Sequence, residues 1–269
     1  PLACHMIDLR FSEAELEQQR DHITAFIREQ VEAAGADGVV LGFSGGIDST
    51  LIGHLAVEAL GAENVHGLVL PAHVSSEEHM SDAERVAQKL EITYDVIEIE
   101  PIVDSLLSVY PDAEGDHEAV GNARARVRAV LNYLVANHES RLVLGTGNRS
   151  EAAVGYFTKY GDGAVDCHPI GNLYKAQVRQ LARHVGVPED LAAKTATAEL
   201  WADQTDEDEL GISYETLDSI LAAHIDGPLS VAATCRLLEV DAETVERVRG
   251  MYAGSEHKRT VPPAPEPLE

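Results

Sequence analysis

Four short apolar runs, separated by segments of helical periodicity, restrict the folds open to this chain. Continuous apolar strands joined by helical crossovers form parallel sheets that are covered on both faces. We therefore predict an α/β fold, a three-layer doubly wound parallel sheet with helices on both faces, plus C-terminal helices. The runs are GVVLGF (38–43), VHGLVL (65–70), TYDVIEI (93–99) and RLVLGT (141–146), and the helical patterns between them lie at 50–60, 79–90 and 118–137.

The remainder of the chain is expected to be mostly helical. Ser12 and Glu15 form a capping-box pattern that predicts a helix to Ala34, ended by Gly35. Residues 155–175 are rich in glycine and aromatic residues without clean periodicity, and so long a loop is typically functional. Further helices are predicted at 174–185, 213–223, 230–238 and 241–253.

The length of the chain is compatible with one domain, which we expect to cover residues 1–269. Within it, residues 1–5 resemble a vector remnant, and residues 260–269 are expected to form an extended tail. The three cysteines, Cys4, Cys167 and Cys235, lack the spacing of metal ligands, which predicts reduced thiols.

The composition predicts a soluble protein with a strongly acidic surface. Acidic residues number 46 against 20 basic residues, which gives a net charge of −26. This charge argues against a nucleic-acid partner, and no run approaches the roughly 20 apolar residues of a membrane helix. We therefore expect a cytoplasmic protein without a membrane partner. Because the acidity is spread along the chain, we interpret the surface as halophilic; an acidic mesophilic enzyme is the alternative.

The segment SGGIDS, residues 44–49, joins the first predicted strand to a predicted helix. Such a turn directs backbone N–H groups and the positive end of a helix dipole at one point, which favours binding of a phosphate group. The segment lacks the lysine of the Gly-x-x-x-x-Gly-Lys-Ser/Thr loop, so it is a different motif. Its spacing matches the pyrophosphate loop of ATP pyrophosphatases, in which Asp48 can hold magnesium. A glycine turn capped by Asp48 or Ser49 is the purely structural alternative.

Six further motifs make the resemblance to one family specific. The chain resembles the ammonia-dependent NAD synthetases, which belong to the N-type ATP pyrophosphatases. The resemblance implies ATP-dependent amidation of deamido-NAD by ammonia, through an adenylated intermediate, to give NAD, AMP and pyrophosphate. The loop belongs to GFSGGIDS (42–49), and the six further motifs are GNARARVR (121–128), GTGNRSE (145–151), YFTKYGDGAVD (156–166), NLYKAQV (172–178), QTDEDELG (204–211) and EHKR (256–259).

The resemblance implies which residues bind ATP, the expected co-substrate, and Mg2+, the expected cofactor. Asp48 and Glu151 would hold the metal ion. Asp48 and Lys175 would act on the phosphates during catalysis. The residues implied to bind ATP are Gly42, Phe43, Ser44, Gly45, Gly46, Ile47, Asp48, Ser49, Thr146, Lys175 and Thr197.

The resemblance also implies a deamido-NAD site and a homodimer, with substrate bound near the junction of the two copies. Only about 37 residues precede the first predicted strand, so free ammonia is the expected nitrogen donor. The residues implied to bind deamido-NAD are Arg126, Lys159, Asp166, His257 and Lys258.

Two residues of the glycine-rich loop are assigned from their position. Ammonium must lose a proton before it attacks the adenylate, and Asp162 is our candidate acceptor because it lies in this loop. His168 stands where the family commonly has asparagine. We expect His168 to replace the packing or hydrogen bonding of that residue, without a catalytic role.

The substrates are polyanions, so an acidic chain must attract them through a local field. Two other functions are alternatives for a chain with this loop. A tRNA-thiolating or guanylate-forming synthetase shares the loop, but the tRNA enzyme needs a basic surface and a reactive cysteine pair. A non-catalytic nucleotide-binding module is the alternative from another class, and the two carboxylates argue against it. Eight of the 20 basic residues lie in the motifs and predict a basic pocket: Arg124, Arg126, Arg128, Arg149, Lys159, Lys175, Lys258 and Arg259.

Overall fold

A computed structural model describes residues 7–73, 75, 77–197 and 205–265. Within these residues the sheet has four parallel strands in the order β3-β2-β1-β4, which confirms the predicted α/β fold. Val39 of the first strand lies opposite Val65 of the second and Leu142 of the fourth, so the first strand is internal. The strands are β1 (Val39–Gly42), β2 (Val65–Val69), β3 (Thr93–Val96) and β4 (Leu142–Leu144).

Each predicted helix is present. The helix predicted at 213–223 continues past its α-helical part as a π-helical segment, Leu221–Ile225. The helices are α1 (Glu13–Ala34), α2 (Ile47–Leu60), α3 (Glu77–Lys89), α4 (Glu100–Val109), α5 (His117–His138), α6 (Arg149–Val154), α7 (Lys175–His184), α8 (Glu189–Ala192), α9 (Asp206–Leu210), α10 (Tyr214–Ile220), α11 (Val231–Leu238), α12 (Ala242–Gly254) and α13 (Glu256–Arg259). Of these, α4, α6, α8, α9 and α13 were not predicted.

The third predicted strand is too long, because β3 ends at Val96 and α4 begins at Glu100. Pro101 lies in the first turn of α4, where a helix needs no N–H donor from that residue. The apolar residues that we assigned to a strand end therefore lead into a helix. Ile99, at the N-cap of α4, is fully buried.

Alternate residues of β1 face opposite helical layers. Val39 and Leu41 pack into a core formed with α1, α2 and α7, whereas Val40 packs into a second core with α4 and α5. Helices on both faces of the sheet are therefore confirmed. A third core, which includes Tyr214 and Val245, joins α6, α10 and α12 into the predicted C-terminal helical region.

Local signals fix the ends of α1 as predicted. The side chains of Ser12 and Glu15 form the reciprocal capping box, and Gly35 ends the helix with φ at 63°. No helix among the described residues has the length and apolar character needed to cross a membrane. The proposed vector remnant, with Cys4, and the last four residues of the tail lie outside the described residues.

Candidate active site

The SGGIDS segment forms a tight turn between β1 and α2. Gly45 has φ at 76°, and a Cβ atom there would lie 2.2 Å from the carbonyl oxygen of His79, so glycine is required. The hydroxyl oxygens of Ser44 and Ser49 lie 3.2 Å apart, and the Ser49 hydroxyl donates to the Gly46 carbonyl at 3.1 Å. These contacts hold the turn, and α2 begins at Ile47, three residues before the predicted start, so the last three residues of the segment form the first turn of the helix.

Two carboxylates from different motifs meet at one buried lysine. Lys175, the first residue of α7, is 2% exposed. Its Nζ donates to Asp48 Oδ2 at 2.5 Å and to Glu151 Oε1 at 3.2 Å. Asn148 Nδ2 donates to Asp48 Oδ1 at 3.0 Å, and the Asn148 backbone N–H donates to Glu151 Oε2 at 3.2 Å. The loops after β1 and β4 therefore meet at one edge of the sheet, as predicted.

The crowded charges shift the pKa values of this cluster. Burial lowers the pKa of Lys175, but the carboxylates of Asp48 and Glu151 outweigh burial and leave that pKa raised. Burial raises the pKa of Glu151 to about 7; Lys175 opposes this rise and Asp48 adds to it. Burial also raises the pKa of Asp206, whose Oδ2 accepts from the Tyr214 hydroxyl at 2.9 Å. The cluster thus combines one ammonium group with three carboxyl groups.

One cleft of about 500 Å3 joins this cluster to the glycine-rich loop. Among the residues implied to bind ATP, Gly45 does not line it. The side-chain cluster contributes Asp48, Glu151, Lys175 and Asp206 to its wall. The other residues implied to bind ATP that line the cleft are Gly42, Phe43, Ser44, Gly46, Ile47, Ser49, Thr146 and Thr197.

Asp162 and Lys258 lie at the glycine-rich side of the same cleft. Asp162 Oδ1 accepts from the Thr158 backbone N–H at 2.9 Å, and its side chain stays open to the cleft. The surrounding protein raises the pKa of Asp162 by desolvation. Lys258 Nζ donates to the carbonyl oxygens of Gly155 and Phe157 at 2.7 and 2.8 Å. A carboxylate and an ammonium group therefore face the space beside the phosphate loop.

The other residues implied to bind deamido-NAD do not line this cleft. Arg126 Nε donates to the Lys159 carbonyl at 3.3 Å, and Lys159 Nζ donates to the His257 carbonyl at 2.6 Å, so these three residues form one group. Asp166 Oδ2 accepts from the Val143 N–H at 2.7 Å, beside β4. Their roles in substrate binding stay predictions.

The predicted basic pocket is smaller than the sequence indicated. Arg124 forms an ion pair with Glu100 at 2.6 Å, and Arg149 forms one with Asp226. Neither arginine lines the cleft. Of the eight basic residues in the motifs, Arg128, Lys175 and Lys258 line it. Membership in a motif did not reveal that Arg124 and Arg149 form ion pairs away from the cleft.

Several residues of the site carried no assignment from the sequence. Asn148 and Ser150 lie inside GTGNRSE and are fully buried, and Asp206 lies inside QTDEDELG, so their motifs were the available signal. Asp218, also fully buried, lies in an ordinary helical pattern that gave no signal. The described residues contain no cluster of three or more His, Cys, Asp or Glu side chains arranged to hold a metal ion.

The His168 side chain packs against the turn after β4. A Cβ atom added at Gly145 would lie 2.6 Å from His168 Nδ1, and one at Gly147 would lie 3.2 Å from the same atom. This close approach agrees with the packing role expected for His168.

Comparison with protein families and curated proteins gives concordant matches. A family model described as NAD synthase matches residues 19–262. A protein of Halobacterium salinarum named NH3-dependent NAD+ synthetase is 63% identical over 259 residues, which cover 96% of this chain and 97% of that protein. A protein of the same name from Hyperthermus butylicus is 51% identical and is matched over 91% of this chain and 89% of its own length.

Solved structures show the same similarity. The structure of an NMN synthetase from Francisella tularensis has a TM-score of 0.81 and 34% identity, over 95% of this chain and 99% of that chain. An NH3-dependent NAD synthetase from Campylobacter jejuni, solved with nitrate, has a TM-score of 0.79 and 29% identity, over 93% of this chain and 99% of that chain.

Proposed function

This chain belongs to the NAD synthase family, and from that premise we propose that it amidates deamido-NAD with ammonia and cleaves ATP to AMP and pyrophosphate. The observation that carries the proposal is the meeting of Asp48, Glu151 and Lys175 in one cleft beside a pyrophosphate-type loop. This arrangement suits an enzyme that separates pyrophosphate from a nucleotide, because the ammonium group and a cation held by the two carboxylates would meet the charge that develops on the leaving group.

In the first step the nicotinate carboxylate of deamido-NAD attacks the α-phosphorus of ATP, and pyrophosphate leaves. In this proposal Lys175 Nζ, which contacts both carboxylates, neutralises charge on the leaving phosphates. The backbone N–H groups at the start of α2 add donors for the same oxygens. The residues of the turn therefore bind and orient the group that departs.

The carboxylates of Asp48 and Glu151 fit a magnesium ion. Both carboxylates contact the same ammonium group, with Asp48 Oδ2 at 2.5 Å and Glu151 Oε1 at 3.2 Å from Lys175 Nζ, so the two anionic groups are close enough to act on one cation. Magnesium is typically held by one or two carboxylates together with substrate phosphates, and it does not need a third protein ligand. Bound there, the ion would supply further charge neutralisation at the pyrophosphate oxygens.

In the second step ammonia attacks the adenylated carboxyl group, and AMP leaves. Asp162 is the proposed acceptor of the proton that ammonium must lose. Its raised pKa makes it a stronger base than an ordinary aspartate, and its side chain is open to the cleft.

The test is one incubation with ATP, Mg2+, deamido-NAD and ammonium. We expect NAD and AMP in equal amounts. Formation of ADP, or no turnover, would reject the synthetase, and nicotinate mononucleotide in place of deamido-NAD tests the activity named for the Francisella tularensis relative. Asp48→Asn should abolish product formation, whereas Lys89→Met, a change at an exposed lysine of α3, should not.

We further propose a homodimer that buries the outer face of α5. Val130 and Leu134 are 66% and 62% exposed, which is unusual for apolar side chains on so acidic a chain. On α4, Leu106 and Val109 are also exposed. Arg126 precedes Val130 by one helical turn, so a second copy docked on this face would lie beside a residue implied to bind deamido-NAD.

Light scattering during size-exclusion chromatography tests the dimer. Leu134→Asp should convert the dimer to a monomer, because the substitution places a charge in the apolar contact. The matched control is Gln18→Asp, which adds the same charge at an exposed position of α1, on the opposite face of the sheet from α5, and should leave the dimer intact. A monomeric wild-type chain would refute the proposal.

A further inference from the structure

The helix that carries Lys175 is capped by side chains from elsewhere in the chain. Tyr174, the N-cap residue of α7, makes no side-chain hydrogen bond to the helix. Instead, the Lys175 N–H donates to Ser150 Oγ at 3.0 Å, and the Ala176 N–H donates to Asp218 Oδ2 at 2.9 Å. The first N–H groups of a helix need such acceptors. Residues of α6 and α10 therefore fix the start of α7.

Ser150 and Asp218 also bond to each other. The Ser150 hydroxyl donates to Asp218 Oδ1, and both residues are fully buried. Burial raises the pKa of Asp218 to about 6, so at neutral pH it is ionised and accepts at both oxygens. An anion suits this place because it faces the positive end of the α7 dipole.

The same contacts connect α6, which carries Glu151, to α7, which carries Lys175. Ser150 is the neighbour of Glu151 on α6, and Ala176 is the neighbour of Lys175 on α7. Asp218 on α10 contacts both neighbours and lines no part of the cleft. It is therefore placed to set the distance between Glu151 and Lys175 without touching the substrates.

We propose that Asp218 is a positioning residue, which holds α6 and the start of α7 so that Lys175 Nζ meets Asp48 and Glu151. The proposal rests on the proposed function for its kinetic test. The contact that it protects is short, since Nζ lies 2.5 Å from Asp48 Oδ2, and a shift of about 1 Å in a positioned catalytic group can cost on the order of 100-fold in rate.

The isosteric variant Asp218→Asn loses one of the two hydrogen bonds that Asp218 accepts, whichever way the amide is oriented. If the amide oxygen accepts from Ala176, its NH2 group faces Ser150, whose hydroxyl proton then has no acceptor. If the oxygen faces Ser150, the NH2 group opposes the Ala176 N–H. A side chain of unchanged shape can therefore no longer hold both helices.

Pyrophosphate exchange into ATP, with deamido-NAD and without ammonia, measures the adenylation step alone. We expect Asp218→Asn to lower kcat by about 10- to 100-fold, with a smaller change in KM for ATP. Ser150→Ala is a second variant with the same expectation, should Asp218→Asn not fold. The matched control, Asp241→Asn, changes the N-cap of α12 and should keep the wild-type kcat.

Combining Asp218→Asn with Lys175→Met distinguishes the proposed positioning role from a purely structural one. Once the lysine is absent, its position no longer matters, so Asp218→Asn should lower the residual exchange rate no further. An equal loss in both backgrounds, or wild-type kcat in both folded variants, would overturn the proposal. A crystal structure of Asp218→Asn gives a readout that needs no turnover, and Lys175 Nζ left in contact with both carboxylates would also overturn it. Absence of exchange in the wild-type enzyme counts against the proposed function instead.

Discussion

Replacing Lys175 by methionine removes the only ammonium group that contacts both Asp48 and Glu151 among the described residues. The side chain keeps its approximate length and apolar stem, so the change isolates the charge. Lys175 is 2% exposed, and its Nζ lies 2.5 and 3.2 Å from the two carboxylates. The variant therefore leaves two acidic groups in a crowded site without their direct counter-charge.

The expected loss of stability follows from that burial. Breaking a buried ion pair by removing one partner costs about 3–5 kcal/mol, since the other charge is left uncompensated. The carboxyl groups can relieve part of this cost by taking up a proton. Lys175 opposes the rise in the pKa of Glu151, so in the variant that pKa should lie above its wild-type value of about 7.

The pH dependence of the folding stability of Lys175→Met follows from the pKa of Glu151. Its folded-state pKa lies above the ordinary value of 4.5, so between these two pH values the folded chain binds a proton that the unfolded chain does not. This contribution to stability is present at low pH and is lost as the pH rises through the folded-state pKa. Lys175→Met should therefore be least stable at alkaline pH and should recover toward pH 6.

Thermal denaturation followed by circular dichroism at pH 6, 7 and 8, at one salt concentration, tests the reasoning. At pH 8 we expect Lys175→Met to melt roughly 6–12 °C below wild type, from a cost of about 3 kcal/mol at 2–4 °C per kcal/mol. Saturating Mg2+ should raise the melting temperature of the variant more than that of wild type, because it can supply the missing charge. Lys89→Met should change stability by no more than about 0.5 kcal/mol.

A variant as stable as wild type at every pH, with no larger response to Mg2+, would show that the ammonium group is not the counter-charge of Asp48 and Glu151. Adenylation measured by pyrophosphate exchange should fall in the same variant. Full exchange activity would refute the catalytic role of Lys175 separately.

Three further predictions concern the loop, the proton acceptor and the surface. Gly45→Ala should raise KM for ATP and destabilise the chain by more than about 1 kcal/mol, because its Cβ would lie 2.2 Å from a backbone oxygen; unchanged ATP titrations and melting curves would contradict this. Asp162→Asn should retain pyrophosphate exchange but lose about 100-fold or more in amide formation from preformed adenylate, and an intact single-turnover rate would remove it as the acceptor. Wild-type protein should gain stability and activity in molar KCl, because salt screens the repulsion within a net charge of −26; full folding and activity in dilute buffer would contradict halophilic adaptation.

The features that the sequence predicted well are those with local causes. The Ser12–Glu15 capping box and the glycine stop at Gly35 depend on neighbouring residues, and both occur as predicted. The apolar runs located the strands because buried parallel strands need few polar residues. The strand predicted over 93–99 was too long, because the apolar residues after Val96 lie where the chain enters α4 and not in a strand.

Contacts between distant residues could not be predicted in the same way. Motifs brought Asp48, Glu151 and Lys175 into one hypothesis, because their spacing is a family pattern. The acceptor for Ser150, Asp218, lies 68 residues further along the chain in a helix with unremarkable periodicity. The same limit affected the basic residues, because nothing local in the sequence revealed that Arg149 pairs with Asp226.

The charges around Lys175 change the explanation of how this acidic chain binds polyanions. When ionised, Asp48, Glu151 and Asp206 carry three negative charges against the single positive charge of Lys175, so the cluster has a net charge of −2. Lys258, the ammonium group on the glycine-rich side of the cleft, already donates to two backbone carbonyls. The cleft is therefore not a preformed basic pocket, and its phosphate side suits a nucleotide whose charge is already balanced by a divalent cation. Under the proposed function, the carboxylates that would repel free ATP are the groups that would recognise its metal-bound form.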